Sequence, residues 1–147
     1  MTDSLKMYKD QINIVLLCLL MAFSVKVAGQ CNSEASDAQC VEKITSSNIF
    51  VKSYKLDGTR TGDVEFSSVL VKDTRYYLNL CEEGVVSNNV EINVYDAKRK
   101  LVTTNKNNQL IHPELSFNCD KTGVYYFVFK KGSAYTSCGM GALSFRR

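Results

Sequence analysis

The 147-residue chain has the length of one domain, balances 18 Lys and Arg against 15 Asp and Glu for a net charge of +3, and is 45% hydrophobic with one proline and no tryptophan. That composition excludes a disordered or collagen-like chain, because there is enough apolar surface to build a packed core. With no basic block beyond Arg146-Arg147 it also argues against nucleic-acid binding, which concentrates positive charge on one face.

The first element reads as an export signal. Met1–Gln11 is polar and carries Lys6 and Lys9. Ile12–Val25 is fourteen residues without a charge, Lys26 ends the run, and Val27-Ala28-Gly29 sets small or apolar residues before a cut at Gln30. This is the order of a secretory signal, and the apolar run falls short of the ~20 residues that span a bilayer. A lipid anchor needs cysteine directly after Gly29, where Gln30 stands. The expected organisation is a signal over 1–29, a polar segment over 30–47 and a folded domain over 48–147. The chain is then exported to the periplasm, cell surface or medium, and meets the membrane only through the signal.

From Asn48 onward, short alternating runs are separated by turn residues at regular spacing, the pattern of an all-β sandwich or barrel. Ile49–Leu56 is the first run, and Asp57–Asp63, with two glycines, turns it. The next run sets Val64, Phe66, Ser68 and Leu70 on one face, and Lys72-Asp73-Thr74 turns the chain. The third sets Tyr76, Leu78 and Leu80 against Tyr77, Asn79 and Cys81. The fourth has Val90, Ile92 and Val94 inward and Glu91, Asn93 and Tyr95 outward. A turn over Asp96–Lys100 leads to a short run ending at Thr104. A polar loop then runs to the only proline, Pro113. The sixth run alternates Leu115, Phe117 and Cys119. Asp120–Gly123 turns tightly, with Gly123 able to take positive φ. Val124–Lys130 is apolar enough to be buried on both faces, and Cys138–Phe145 is a last strand whose glycines let neighbours approach. Eight strands of this kind stack as two antiparallel sheets.

Of six cysteines, Cys18 falls in the signal and Cys31, Cys40, Cys81, Cys119 and Cys138 remain. In an exported chain these are expected in structural disulfides, with one thiol left over. Zinc is the competing use, but there is no C-x-x-C pair and only one histidine, so no metal or cofactor is expected.

The run from Val64 to Phe145 resembles the bacterial pre-peptidase C-terminal-like domains, and more narrowly small exported proteins of Bacteroidetes-type bacteria. The resemblance lies in Lys72 and Thr74 followed by Tyr76–Leu80, in the V-x-I-x-V-Y-D of Val90–Asp96, in Phe117, in Thr122, Gly123, Tyr125 and Tyr126, and in the ending Cys138-Gly139 with Arg146-Arg147. It implies a jelly-roll-like sandwich. In a jelly roll the third and eighth strands are neighbours, which implies a Cys81–Cys138 disulfide. Members of the family often carry aspartates entering the V-x-I-x-V-Y-D strand, where this chain has Asn88 and Asn89. Such signatures speak for fold and leave function to the site.

No residue set announces a reaction. His112 stands in a polar loop and needs a partner within hydrogen-bond reach to act as acid or base. Glu82 and Glu83 are adjacent and point to opposite faces of a strand, which does not aim two carboxylates at one substrate. Asp57–Asp63 offers oxygens at alternate positions, but Arg60 sits among them, and a plain hairpin turn is the simpler reading. Gly139-Met140-Gly141 lacks the following helix of a dinucleotide fingerprint. The tyrosines fit cross-strand packing better than a sugar platform.

The reading is therefore a non-enzymatic exported accessory or binding module whose partner is a protein or glycan of the cell envelope. A small enzyme centred on His112 and a carbohydrate-binding module are the rivals. Loops vary without unfolding a sandwich, so partner contact is expected on the polar loop Thr103–His112, at Asn105, Lys106, Asn107 and Asn108.

Overall fold

Alternation of apolar and polar side chains along each run forces pairing, because a strand buries one face only when another sheet covers it. The computed structural model describes residues 38, 41–42, 47–58, 62–82, 85–86, 88–132 and 137–146. They belong to a compact unit spanning Cys31–Arg147. The expected signal over 1–29 lies outside the described residues, as does most of the polar segment 30–47.

All eight expected strands form. They are β1 (Ile49–Leu56), β2 (Val64–Leu70), β3 (Thr74–Glu82), β5 (Val90–Tyr95), β6 (Leu101–Thr104), β9 (Glu114–Cys119), β10 (Gly123–Lys131) and β11 (Gly139–Arg146). Three short strands lie in runs expected as loops: β4 (Val85–Val86), β7 (Lys106–Asn107) and β8 (Leu110–Ile111). One sheet runs β1-β11-β3, with β9 and β4 pairing successive stretches of the far side of β3; the other runs β2-β10-β5-β6. All pairings are antiparallel, and β7 and β8 make a separate ribbon. Counting only the eight long strands, the orders are 1-8-3-6 and 2-7-4-5, the double Greek key of a jelly roll. The third and eighth long strands are neighbours, as the resemblance implied.

The core lies between the sheets. Leu78, Leu80, Val90, Ile92, Val94, Phe127, Phe129 and Leu143 are fully enclosed, each aliphatic side chain contributing about 1.5–3 kcal/mol through burial. Tyr54 crosses from β1 to the facing sheet, its ring 4.9 Å from Phe66 and 5.4 Å from Phe127. Its hydroxyl lies 2.7 Å from that of Ser68, the one polar residue on the inward face of β2. Gly141 is required by space: a Cβ there would meet the Phe129 ring at 2.6 Å.

Three expectations change. Gly123 does not take positive φ; Asp73, Arg99, Asn108 and Gly62 do among the described residues, because the tight reversals fall there. β10 is not buried on both faces, since Val124, Tyr126 and Val128 lie on the solvent side of its sheet. Conversely, Asn79 and Cys81, on the outward face of β3, are buried. There Cys81, Met140 and Ala142 form a second small cluster, and Val41 packs against it.

Candidate functional site

The jelly roll gathers its connections at two ends. One end carries the tight turns after β2, β5 and β9. The first and last of these are tied to one another: Asp73 N–H donates to Cys119 O at 2.8 Å and Lys72 N–H to Thr122 Oγ1 at 2.9 Å. The other end carries the connections after β1, β3, β6, β8 and β10, among them the polar loop from which partner contact was expected.

That loop folds into the β7–β8 ribbon, and Asn105 is its inner clamp. The side chain is 3% exposed. Its Oδ1 accepts Ile92 N–H at 2.7 Å, and its Nδ2 donates to Val90 O at 3.1 Å and His112 O at 2.8 Å. Asn105 is thus corrected from contact residue to structural residue, because three backbone groups with no strand partner take up its amide. Lys106, Asn107 and Asn108 are exposed, and Asn108 turns the ribbon in the left-handed region. Leu110, near the tip, is 70% exposed. Lys106 Nζ reaches Glu91 at 2.9 Å and Lys130 Nζ reaches it at 3.3 Å. Hydrogen bonds from Lys106 first, then Asn93 and Lys130, hold the Glu91 carboxyl at about 2.

His112 is exposed, and its backbone closes the loop through Asn105. The described free thiol, Cys119, is buried at the far end of β9, with its sulfur 3.2 Å from Lys121 O and 3.4 Å from Tyr125 Oη. Seven residues of extended chain put His112 about 20 Å from it, so the two do not meet as a nucleophile and base. Tyr125 donates to Lys121 O at 2.9 Å, and burial first, with the Cys119 hydrogen bond second, pushes its hydroxyl up to about 12. Cys81 and Cys138 are both disulfide-bonded. In the register of β3 with β11, Met140 stands opposite Cys81 and Gly139 opposite Glu82.

At the turn end lies an open groove of about 470 Å³ between the β5–β6 turn and the start of β10. The turn is self-contained. Asp96 Oδ1 accepts the N–H groups of Lys98 and Lys100, both at 2.9 Å, and Arg99 takes φ 63°. Asp96 is thereby occupied, and Lys98 and Lys100 project from the turn. Lys121 stands on the opposite wall, and Leu101, Val102 and Val124 supply apolar surface. None of the three lysines has a carboxylate partner among the described residues. In sequence Asp96–Lys100 reads as a plain turn; the signal it carries is an aspartate followed by three cations in four residues, which a capped turn must splay outward.

Beside the groove, Arg99 forms a bidentate pair with Glu65 at 2.6 and 3.0 Å. Its guanidinium lies 3.7 Å over the Tyr126 ring, a cation–π contact that covers that aromatic face. Tyr54, Tyr76 and Tyr125 are buried. Of the tyrosines weighed for a sugar platform, then, most are core or already stacked.

No family model matches the chain, and no curated protein matches it. The solved structures to which the chain is similar include three. One is PliG of Aeromonas hydrophila, a periplasmic inhibitor of g-type lysozyme, at 11% identity over 69% of this chain and 90% of that one, with TM-score 0.48. The second is a glycosylation-associated protein complex (Gap123) of Streptococcus agalactiae, at 14% identity over 69% and 39%, with TM-score 0.36. The third is FLGD of P. aeruginosa, at 20% identity over 67% and 70%, with TM-score 0.29. These likenesses assign no function to the chain.

Proposed function

We propose that the mature domain is an exported, non-enzymatic binding module, and that its partner is a protein of the cell envelope held at the turn end of the β2-β10-β5-β6 sheet. One observation carries this reading: the exposed apolar residues there are contiguous. Val69 (68% exposed) stands directly opposite Val124 (37%), and Val124 shares the groove with Leu101 (48%) and Val102 (39%). Scattered exposed apolar residues are ordinary, but a joined patch with a polar rim is the usual mark of a protein contact. The patch is built from branched aliphatic side chains, and the adjacent Tyr126 ring is covered by Arg99, which favours a protein over a glycan.

A second reading rests on Leu110 and places contact on the tip of the β7–β8 ribbon, near Asn107 and Asn108. Photo-cross-linking in the source cell's envelope separates the two. A cross-linking residue at Val69 or Val124 should give a discrete protein adduct, and one at Asn107 should not. An adduct only from Asn107 would move the surface to the ribbon. No adduct from either, together with a turnover lost on His112→Ala, would overturn the module altogether.

A further inference from the structure

β10 pairs β2 over Gly123–Phe129 but β5 only over Tyr126–Lys131. Gly123, Val124 and Tyr125 therefore have a strand neighbour on one side alone, because β5 ends at Tyr95 and turns at Asp96 into the hairpin with β6. The result is a notch at the end of the sheet, and the groove lies along it.

Its chemistry is specific. Val124, Leu101 and Val102 give apolar contact, while Lys98, Lys100 and Lys121 give three ammonium groups with no carboxylate partner among the described residues. Asp120 is the one carboxylate lining the groove that no turn has taken up. Away from the groove, Lys130 of β10 and Lys106 of the β7–β8 ribbon both sit on Glu91.

We infer that this notch takes a short, extended, acidic segment of a partner protein, which adds as a strand beside Gly123–Tyr125 and sets its carboxylates against Lys98, Lys100 and Lys121. Main-chain bonds of strand addition supply affinity without sequence, and alternate side chains supply specificity. A segment alternating branched apolar and acidic residues matches both parts of the wall. The inference rests on the proposed protein-binding reading and names the chemistry of the partner.

The probe is a capped octapeptide of alternating Val and Glu, added to the oxidised mature domain. Amide resonances of Gly123, Val124 and Tyr125 should shift, and binding should weaken as salt rises. A Val–Lys peptide should not bind. Exchanging the three lysines (Lys98→Gln, Lys100→Gln, Lys121→Gln) should weaken binding by about tenfold, the combined effect of three exposed ion pairs. These positions are solvent-facing, so an unchanged unfolding curve shows that the fold is intact. Methylating alternate amide nitrogens of the peptide, on each register in turn, should abolish binding with charge unchanged. Binding that survives both methylated peptides, or that free polyglutamate of the same charge reproduces at any other face, overturns the strand-addition proposal. Absence of binding overturns it as well, while an adduct at Val69 would still leave the broader protein-binding reading standing.

Discussion

The two ends of the sandwich differ in what holds them. The loop end has the longer connections and the more polar sequence, yet several of its described side chains are bonded within the chain. Asn105 satisfies three backbone groups, Glu91 gathers two lysines, and Cys81 and Cys138 enter disulfides beside the β3–β11 ladder. The turn end has minimal connections, closed by backbone bonds and by Asp96, so its lysines and valines are left for solvent or a partner. Loop length is thus a poor guide to free surface: a long loop on a small domain has many polar groups to satisfy, and it satisfies them with its own side chains.

The largest expected test of this contrast is reduction. Breaking the disulfides should lower stability by about 2–5 kcal/mol, read as a shift in the urea midpoint, with the loop end losing amide protection before the turn end. Non-reduced peptide mapping fixes the partners. Cys138 lies two residues before Met140, the residue opposite Cys81. We expect the peptides carrying Cys81 and Cys138 to be recovered in disulfide linkage, with Cys119 alkylated as a free thiol. A Cys81–Cys138 peptide would support the pairing that the jelly-roll resemblance implies, and a map linking Cys81 elsewhere would overturn it.

Next in size is Asn105→Ala, which strands Ile92 N–H and two carbonyls. It should cost about 2–3 kcal/mol by denaturant unfolding, whereas Asn107→Ala should stay within about 0.5 kcal/mol. Equal effects would mean that the ribbon is not clamped. Gly141→Ala, which pushes a methyl into the Phe129 ring, should cost about 1–3 kcal/mol and acts through the core shared by both ends.

The smallest effect is electrostatic. The folded Glu91 carboxyl is depressed to about 2 from an ordinary 4.5, so its contribution is present above pH 4.5 and is lost as pH falls toward 2. Because the pairs are partly solvated, the loss should be about 1 kcal/mol or less. Glu91→Gln should remove that acid-side dependence, measured as midpoint against pH. A variant retaining the full wild-type slope would place the acid response elsewhere.

Much of the fold was legible from residue order. Val64, Phe66 and Leu70, or Val90, Ile92 and Val94, alternate so cleanly that strand and buried face follow from a period of two. Cys81 stands on the face of β3 opposite Leu78 and Leu80, as alternation requires, but that face is covered by Val41, and no periodicity announces a cover contributed from outside the strands. The candidate site was less legible. Asn105, Lys106, Asn107 and Asn108 look alike in sequence, and only the direction in which each side chain turns separates a clamp from a surface.

By itself, then, the order of residues determined an all-β sandwich, its eight long strands and the faces they bury, because burial of alternate side chains is a local code. Tertiary structure alone decided where β5 stops short of β10. It also decided that Lys98, Lys100 and Lys121 line one groove from two turns, Lys121 lying 21 residues after Lys100, and that Asn105 points inward. Those outcomes depend on register between strands distant in the chain, and register is set by how the two sheets pack together.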